Sequence, residues 1–136
     1  MEIWAIITPL IKVLLYILSF LAVGTGLFIL HFRSLLSQPT FAYCCKLVSK
    51  ASLIGSIIAP LLLLMTAGNI GGDLQSAFDP LMISIALSSK AGQSILVLFF
   101  GFLLVLLWIS PFQNQRLIPG ILGFAFILSS FSLYGH

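Results

Sequence analysis

The sequence contains very few charged residues. Charged side chains make up 7% of its 136 positions and only three of them are acidic, whereas soluble domains are charged at about a quarter of their positions. Hydrophobic side chains make up 60%. This composition excludes a soluble globular domain and indicates an integral membrane protein. Long apolar runs leave no room for a separate soluble unit, so residues 1–136 are predicted to form one transmembrane domain.

Several chemical signatures are also missing. The sequence has no glycine-rich phosphate loop, no HExxH or CxxC motif and no paired carboxylates within an apolar run. Its six basic residues are scattered among loops, without the interleaved aromatics of a nucleic-acid surface. We therefore expect neither an enzyme nor a nucleic-acid-binding protein.

Cysteine is scarce as well. The two cysteines, Cys44 and Cys45, are adjacent, and neighbours in sequence form a disulfide only with strain. No disulfide framework is therefore predicted. The pair lacks the spacer of the usual thiolate metal sites, so two small residues in a loop are favoured over metal ligands.

The apolar runs predict four transmembrane helices, because about 20 apolar residues in a helix cross the hydrocarbon layer. Thr8 and Pro9 suit a helix start. The first run follows Glu2 rather than basic residues and is too long for a signal peptide, so we expect it to be retained. The predicted fold is an all-α polytopic bundle whose last two helices form a hairpin, with spans at Pro9–Leu30, Leu47–Ala67, Ala91–Ile109 and Leu117–Tyr134.

Two prolines bear on this arrangement. Pro60 should kink the second span and face the bundle, where a neighbouring helix can satisfy the freed carbonyl. The segment Gly68–Lys90 has apolar residues at three- and four-residue intervals, which predicts an amphipathic helix along the membrane surface with Pro80 disturbing its middle. The spaced apolar residues are Leu74, Phe78, Leu81 and Ile85.

Basic loop residues predict the orientation, since lysine and arginine are enriched on the cytoplasmic side. The first and third loops carry most of them, whereas the second loop has Lys90 beside Asp73 and Asp79. Both termini are therefore predicted to lie outside. The cytoplasmic basic residues in this topology are Arg33, Lys46, Lys50 and Arg116.

Residues that could hold a metal fall at the outer side of this topology. Met65 and Asn69 are four residues apart near the end of the second span, and a thioether suits Cu(I). Together with His136 they could form a copper site of low coordination number. The alternatives are that Met65 fills the core and that His136 lies among lipid headgroups.

Two polar stripes are spaced as on one helix face. Ser129, Ser132 and His136 form one, which is expected to point inwards as part of an outer ligand site, or else to bond back to helix carbonyls. Lys12, Tyr16 and Ser19 form the other and continue into the small residues Ala22 and Gly26. Helix packing is the favoured interpretation of the second stripe.

The chain resembles the CopD family of bacterial inner-membrane proteins associated with copper resistance or uptake. The segments that carry the resemblance are LAVGTGLF, GGDLQSAFDP, LSSKAGQS and the final GH, in this order around four spans. Lys90 stands where the family commonly has arginine, and the family's glycine matches Gly92. The resemblance covers nearly the whole chain and implies copper as the substrate. On this hypothesis His136 is the principal ligand, and Met65, Asn69 and Asp73 are weaker candidates.

Proteins of this family resemble two such halves joined, with further histidines after the GH position. The chain corresponds to the first half, so either the gene is short or a second copy or another membrane subunit supplies the rest. We expect a multi-pass protein of the bacterial inner membrane that handles or transports copper. The alternative is a non-catalytic structural subunit of a larger membrane complex.

A haem-binding bundle is a third hypothesis, because helical bundles can hold metal cofactors between facing helices. The sequence offers His31 and His136. The predicted topology separates them by roughly a bilayer thickness, about 30 Å. One haem cannot then be ligated by both histidines of a single copy.

Overall fold

The structure is α-helical throughout the part of the chain that it describes. The computed structural model describes residues 2–109 and 117–134, and no strand occurs within them. A short 3₁₀-helix, Gln75–Phe78, lies between the second and third α-helices. The α-helices are α1 (Glu2–Phe32), α2 (Gln38–Gly71), α3 (Pro80–Ser88), α4 (Lys90–Ile109) and α5 (Leu117–Tyr134).

Among the described residues, three helical segments are long and apolar enough to cross a membrane. They are Ile3–Phe32, Gln38–Gly71 and Lys90–Ile109, and a shorter apolar segment covers Ile118–Leu133. The all-α class and the membrane character of the chain agree with the sequence prediction.

The first helix begins earlier than predicted. It starts at Glu2, and Pro9 lies inside it rather than at its first position. Residues 3–7 are all apolar, and in an apolar medium a helix pairs their backbone groups internally. Pro9 removes only one hydrogen bond from the helix. The predicted Thr8 cap is therefore wrong.

The second helix extends beyond Leu47–Ala67 at both ends. It begins at Gln38, with a proline in its first turn, and runs to Gly71. Gly72 ends it in a left-handed conformation with φ 83°, and its N–H donates to the Gly68 carbonyl at 2.8 Å. This geometry favours glycine because a residue with a side chain rarely adopts a positive φ.

The connection after α2 differs from the single disturbed helix that the sequence suggested. Pro80 does not disturb the middle of a segment; it opens α3. Asp79 caps α3, because its carboxylate accepts a hydrogen bond from the Leu81 N–H at 3.0 Å. The apolar residues Leu74 and Phe78 precede this cap and remain exposed, as does Leu81.

Pro60 does not face the interior. Its ring is exposed, while Ala59 and Ser56 occupy the inward positions at this level of α2. The prediction that Pro60 faces the bundle is therefore wrong. Small side chains take the inward positions because they allow neighbouring helices to approach closely.

Helices α1 and α2 pack antiparallel. Near the start of α1, the Asn69 side chain donates a hydrogen bond to the Thr8 hydroxyl at 3.2 Å. Beyond the other end of α1, the Arg33 guanidinium lies 5.8 Å from the centre of the Phe41 ring. The helix α4 also packs along α2, and Phe102 of α4 closely approaches Gly55 of α2.

Helices α4 and α5 form the predicted antiparallel hairpin. The Ser94 hydroxyl, early in α4, donates to the Ser130 carbonyl, late in α5, at 2.7 Å. At the opposite end Trp108 lies against Gly120. The helix α5 touches α1 more sparsely, with the Phe131 ring tilted against that of Tyr16 at 5.2 Å between ring centres.

This pairing gives the molecule two distinct ends. The Asn69 end contains the start of α1, the end of α2, the 3₁₀-helix, α3, the start of α4 and the end of α5. The Arg33 end contains the end of α1, the start of α2, the end of α4 and the start of α5. The first and last described residues therefore lie at the same end, as the predicted topology requires.

Glycines set the distance between α4 and α5. A Cβ atom built on Gly101 would lie 2.7 Å from the Ile127 side chain and 3.0 Å from the Ile127 backbone nitrogen. A Cβ atom on Gly123 would lie 3.0 Å from the Gly101 carbonyl oxygen. Because backbone atoms block both positions, the two helices can reach this separation only with glycine at both sites.

Gly101→Ala is expected to destabilise the fold by about 1–3 kcal/mol, because the added methyl group must push α5 away from α4. Thermal unfolding of the detergent-purified protein measures the effect. Gly24→Ala is the matched control, since no atom lies within 4 Å of a Cβ at that helical position. Equal unfolding temperatures for the two variants would contradict the proposed packing constraint.

Candidate functional site

The predicted metal ligands Met65 and Asn69 both lie in the last turns of α2, at the Asn69 end. Met65 is partly buried and Asn69 is exposed. The Asn69 amide nitrogen donates to the Thr8 hydroxyl at 3.2 Å, which leaves the amide oxygen as the atom that could bind a cation. Spacing by four residues on a continuous helix places these two side chains on one face.

Asp73 does not continue this face. The helix ends at Gly71, and the left-handed Gly72 turns the chain before Asp73 is reached. The Asp73 carboxylate accepts hydrogen bonds from the Ser76 N–H, at 2.9 Å, and from the Ser76 hydroxyl. The structure thus gives Asp73 a local role in the turn, as the sequence GGD suggested.

These hydrogen bonds also favour the ionised form of Asp73. The Ser76 hydroxyl and the Ser76 N–H stabilise the carboxylate and lower its pKa below the ordinary value, and the small effect of burial in the opposite direction does not cancel this. Asp73 is exposed. A fully ionised, accessible carboxylate therefore stands at the Asn69 end at neutral pH.

His136 lies outside the described residues. The stripe expected to lead to it does not point inwards, because Ser129 and Ser132 are both exposed. Ser129 instead donates to the Phe126 carbonyl one turn earlier, at 3.0 Å. The prediction of an inward-facing serine stripe is wrong; the α5 serine that faces the interior is Ser130.

Ser130 and Ser94 form a buried polar contact that the sequence patterns did not reveal. Ser130 is 2% exposed and its hydroxyl donates to the Ile127 carbonyl at 2.7 Å, while its own carbonyl accepts from Ser94. Serine spacing within α5 alone could not distinguish Ser130 from its neighbours Ser129 and Ser132. The pairing with α4 decides which serine is buried.

The polar stripe of α1 belongs to the packed interior, as predicted, only from Ser19 onwards, because Tyr16 is exposed and Lys12 is partly buried. Ser19 is buried and its hydroxyl donates to the Leu15 carbonyl at 2.7 Å. Ala22 is fully buried, and Gly26 is in close contact with the Phe124 ring of α5. These small residues allow α1 to approach the neighbouring helices.

Lys12 lies deeper in α1 than expected, because the helix begins at Glu2. It lines a small cavity between helices, with Ser94 and Ser130 among the other lining residues. The cavity volume is about 30 Å³, which is room for about one water molecule. Mainly apolar side chains form the remaining wall.

The two cysteines lie at the Arg33 end, away from Met65 and Asn69. Cys44 is buried and Cys45 is partly buried. Within residues 2–109 and 117–134, no three histidine, cysteine, aspartate or glutamate side chains form a group that could hold a metal ion. His31 is at the Arg33 end as well, with its ring 4.7 Å from that of Phe32.

A match to a known family identifies the protein family of the chain. The sequence matches the family described as copper resistance protein D-like, N-terminal domain, over residues 1–136. The chain belongs to this family. The resemblance to the first half of CopD proteins is thereby confirmed. No curated protein and no solved structure matches the sequence.

Membership of the copper resistance protein D-like family, together with the long apolar helices, supports a copper-related function in a membrane. The segment LSSKAGQS, which carried part of the resemblance, shapes the junction between α3 and α4. The Ser89 hydroxyl accepts the Gly92 N–H at 3.0 Å and donates to the Ala86 carbonyl at 2.6 Å. Gly92 in turn lies directly against the Ala86 carbonyl, where a side chain would not fit.

Removing the Ser76 hydroxyl is expected to raise the pKa of Asp73 towards its ordinary value of about 3.9. Because the folded-state pKa is lowered, the Asp73–Ser76 contacts stabilise this turn at neutral pH, and the stabilisation is lost as the pH falls through that lowered pKa. Carbon NMR of aspartate-labelled Ser76→Ala protein measures the pKa.

Ser84→Ala is the control, because Ser84 is an exposed serine of α3 outside this turn. It should leave the titration of Asp73 unchanged. An unaltered Asp73 pKa in Ser76→Ala would show that the serine does not stabilise the carboxylate.

Proposed function

We propose that this chain handles copper at the bacterial inner membrane and takes it up as a substrate at the Asn69 end. The observation that carries the proposal is the match to the copper resistance protein D-like N-terminal domain along residues 1–136. Copper is the cargo, bound by side chains and passed on. No covalent chemistry is required of the protein, and we propose that it is not an enzyme.

The proposed architecture is a four-helix bundle in which α1, α2, α4 and α5 all cross the bilayer. The helix α5 has 18 residues, which corresponds to about 27 Å at 1.5 Å per residue and approaches the thickness of the hydrocarbon layer. Its antiparallel packing along the full-length helix α4 supports a crossing of the same layer.

In the proposed orientation the Arg33 end faces the cytoplasm. Arg33 directly follows α1, and Lys46 and Lys50 lie in the first half of α2, whereas Asp73 and Asp79 belong to the opposite end. Lysine and arginine are enriched on the cytoplasmic side of membrane proteins. The Asn69 end, with both termini, would then face outwards, where copper arrives.

Four side chains are the proposed copper ligands. The partly buried thioether of Met65 suits Cu(I), and an imidazole suits several transition metals, so Met65 and His136 are the main candidates. The Asn69 amide oxygen and the ionised Asp73 carboxylate are weaker candidates that attract the cation to this end. A second copy of the chain, or another membrane subunit, would complete the ligand set.

His136→Ala should weaken Cu(I) binding at least about tenfold, because even residues that only orient a metal ligand typically contribute 10–100-fold in affinity. Competition with a Cu(I)-binding dye on the detergent-purified full chain measures the affinity. His31→Ala is the matched control, because His31 lies at the Arg33 end of the molecule. Equal affinities for the parent and His136→Ala would refute the proposed site.

A structural role in a larger membrane complex is the second candidate function. The observation in its favour is the lack of a three-ligand group among the described residues. A subunit of this kind would pack its apolar helix faces against partners. Native mass measurement after gentle detergent extraction tests it: a stable monomer without partners would count against the structural role.

A further inference from the structure

The connection between α1 and α2 forms a polar cleft at the Arg33 end. The cleft has a volume of about 360 Å³ and is lined by Arg33, Leu36, Gln38 and Phe41. It lies apart from Met65, Asn69 and Asp73, which belong to the Asn69 end. The proposed copper function therefore leaves this cleft without a role.

The Arg33 guanidinium is held in a defined position within the cleft. Its central carbon lies 5.8 Å from the centre of the Phe41 ring, a distance at which a cation is attracted to the ring face. Arginine stacked in this way keeps the N–H groups along its edge for an acceptor. Arg33 is also exposed, so a ligand can reach those groups.

The backbone around the cleft is fixed by hydrogen bonds. The N–H groups of Leu35 and Leu36 both donate to the Phe32 carbonyl, at 2.9 and 3.1 Å. On the other side of the connection, the Phe41 N–H donates to the Ser37 carbonyl at 2.9 Å. The backbone that carries the lining residues is thus fixed before a ligand arrives, which lowers the entropy cost of binding.

The charges of the cleft favour an anion. Arg33 supplies a permanent positive charge and Gln38 supplies an amide that can donate hydrogen bonds. The acidic residues of the chain, Glu2, Asp73 and Asp79, all belong to elements at the Asn69 end. Within the described α1–α2 connection, no acidic side chain is therefore available to occupy the cleft.

The position of the cleft relative to the membrane identifies the class of anion. The helix α1 has 31 residues, about 46 Å in length, which exceeds the hydrocarbon thickness of about 30 Å. The excess length allows the end of α1 to reach the headgroup layer, and the charged Arg33 directly after Phe32 favours that position. Leu35, beside the cleft, is 80% exposed, and an exposed apolar side chain next to a cation suits contact with lipid.

We propose that this cleft binds the phosphate of an anionic phospholipid headgroup. The planar guanidinium of Arg33 pairs with two phosphate oxygens and Gln38 donates to the same group. Leu36 and Phe41 contact the adjoining glycerol and acyl carbons. This site is independent of copper and would hold the α1–α2 end of the molecule at the membrane surface.

Native mass spectrometry of the detergent-purified full chain tests the proposal. The protein is titrated with phosphatidylglycerol or with phosphatidylcholine, and the fractions of lipid-bound protein are compared. The parent protein should prefer phosphatidylglycerol. Arg33→Gln should reduce that preference about fivefold, the typical contribution of one basic residue at an anionic membrane surface.

Two further variants separate a defined site from a diffuse basic surface. Lys46→Gln removes the same charge from an exposed position of α2 that does not line the cleft, and it should leave the preference nearly unchanged. Arg33→Lys keeps the charge without the planar guanidinium. Its preference for phosphatidylglycerol should therefore lie between those of the parent and Arg33→Gln. Retained helical circular dichroism confirms that each variant is folded.

Three results would overturn the proposal. The first is an equal preference for the two lipids in the parent protein. The second is an equal loss in Lys46→Gln and Arg33→Gln, which would indicate a diffuse surface. The third is displacement of phosphatidylglycerol by excess inorganic phosphate, which would identify free phosphate rather than a lipid headgroup as the ligand.

Discussion

The hydrogen-bonding demand of the backbone in an apolar medium governs this structure. Each unpaired N–H or carbonyl group in hydrocarbon costs several kcal/mol, so a membrane-crossing segment must pair its backbone internally. This demand explains why α1 and α2 continue through Pro9 and Pro60. Losing one hydrogen bond at a proline costs less than abandoning the helix on either side of it.

Once helices are obligatory, the attraction between them must come from close contact rather than from the exclusion of water. Lipid tails are as apolar as leucine, and small residues at the interface allow the packing that favours association. Gly101 and Gly123 bring α4 and α5 together, and Gly26 makes room for the Phe124 ring between α1 and α5. The buried hydrogen bond from Ser94 to Ser130 adds a directional contact to this packing.

The sequence predicted the features that depend on composition and periodicity. The all-α class, the bounds of α5, the hairpin of α4 and α5 and the packing role of Ala22 all follow from local patterns. It did not predict the start of α1, the orientation of Pro60 or which α5 serine faces inwards. These depend on contacts between helices, and periodicity within one helix does not identify the neighbour.

The candidate metal site was predictable only in part for the same reason. Spacing by four residues correctly placed Met65 and Asn69 on successive turns of one helix. The pattern could not show that Gly72 turns the chain before Asp73, or that Thr8 accepts a hydrogen bond from Asn69. Long-range contacts of this kind are set by the antiparallel pairing of α1 and α2.

Buried apolar side chains lie between the two ends of the molecule. Phe102, Ile127 and Val105 are completely buried between the helices, and the small cavity beside Lys12 holds about one water molecule. The proposed copper ligands Met65 and Asn69 lie at the Asn69 end, where the carboxylate of Asp73 is ionised and exposed. The guanidinium of Arg33, at the other end, is suited to anions instead.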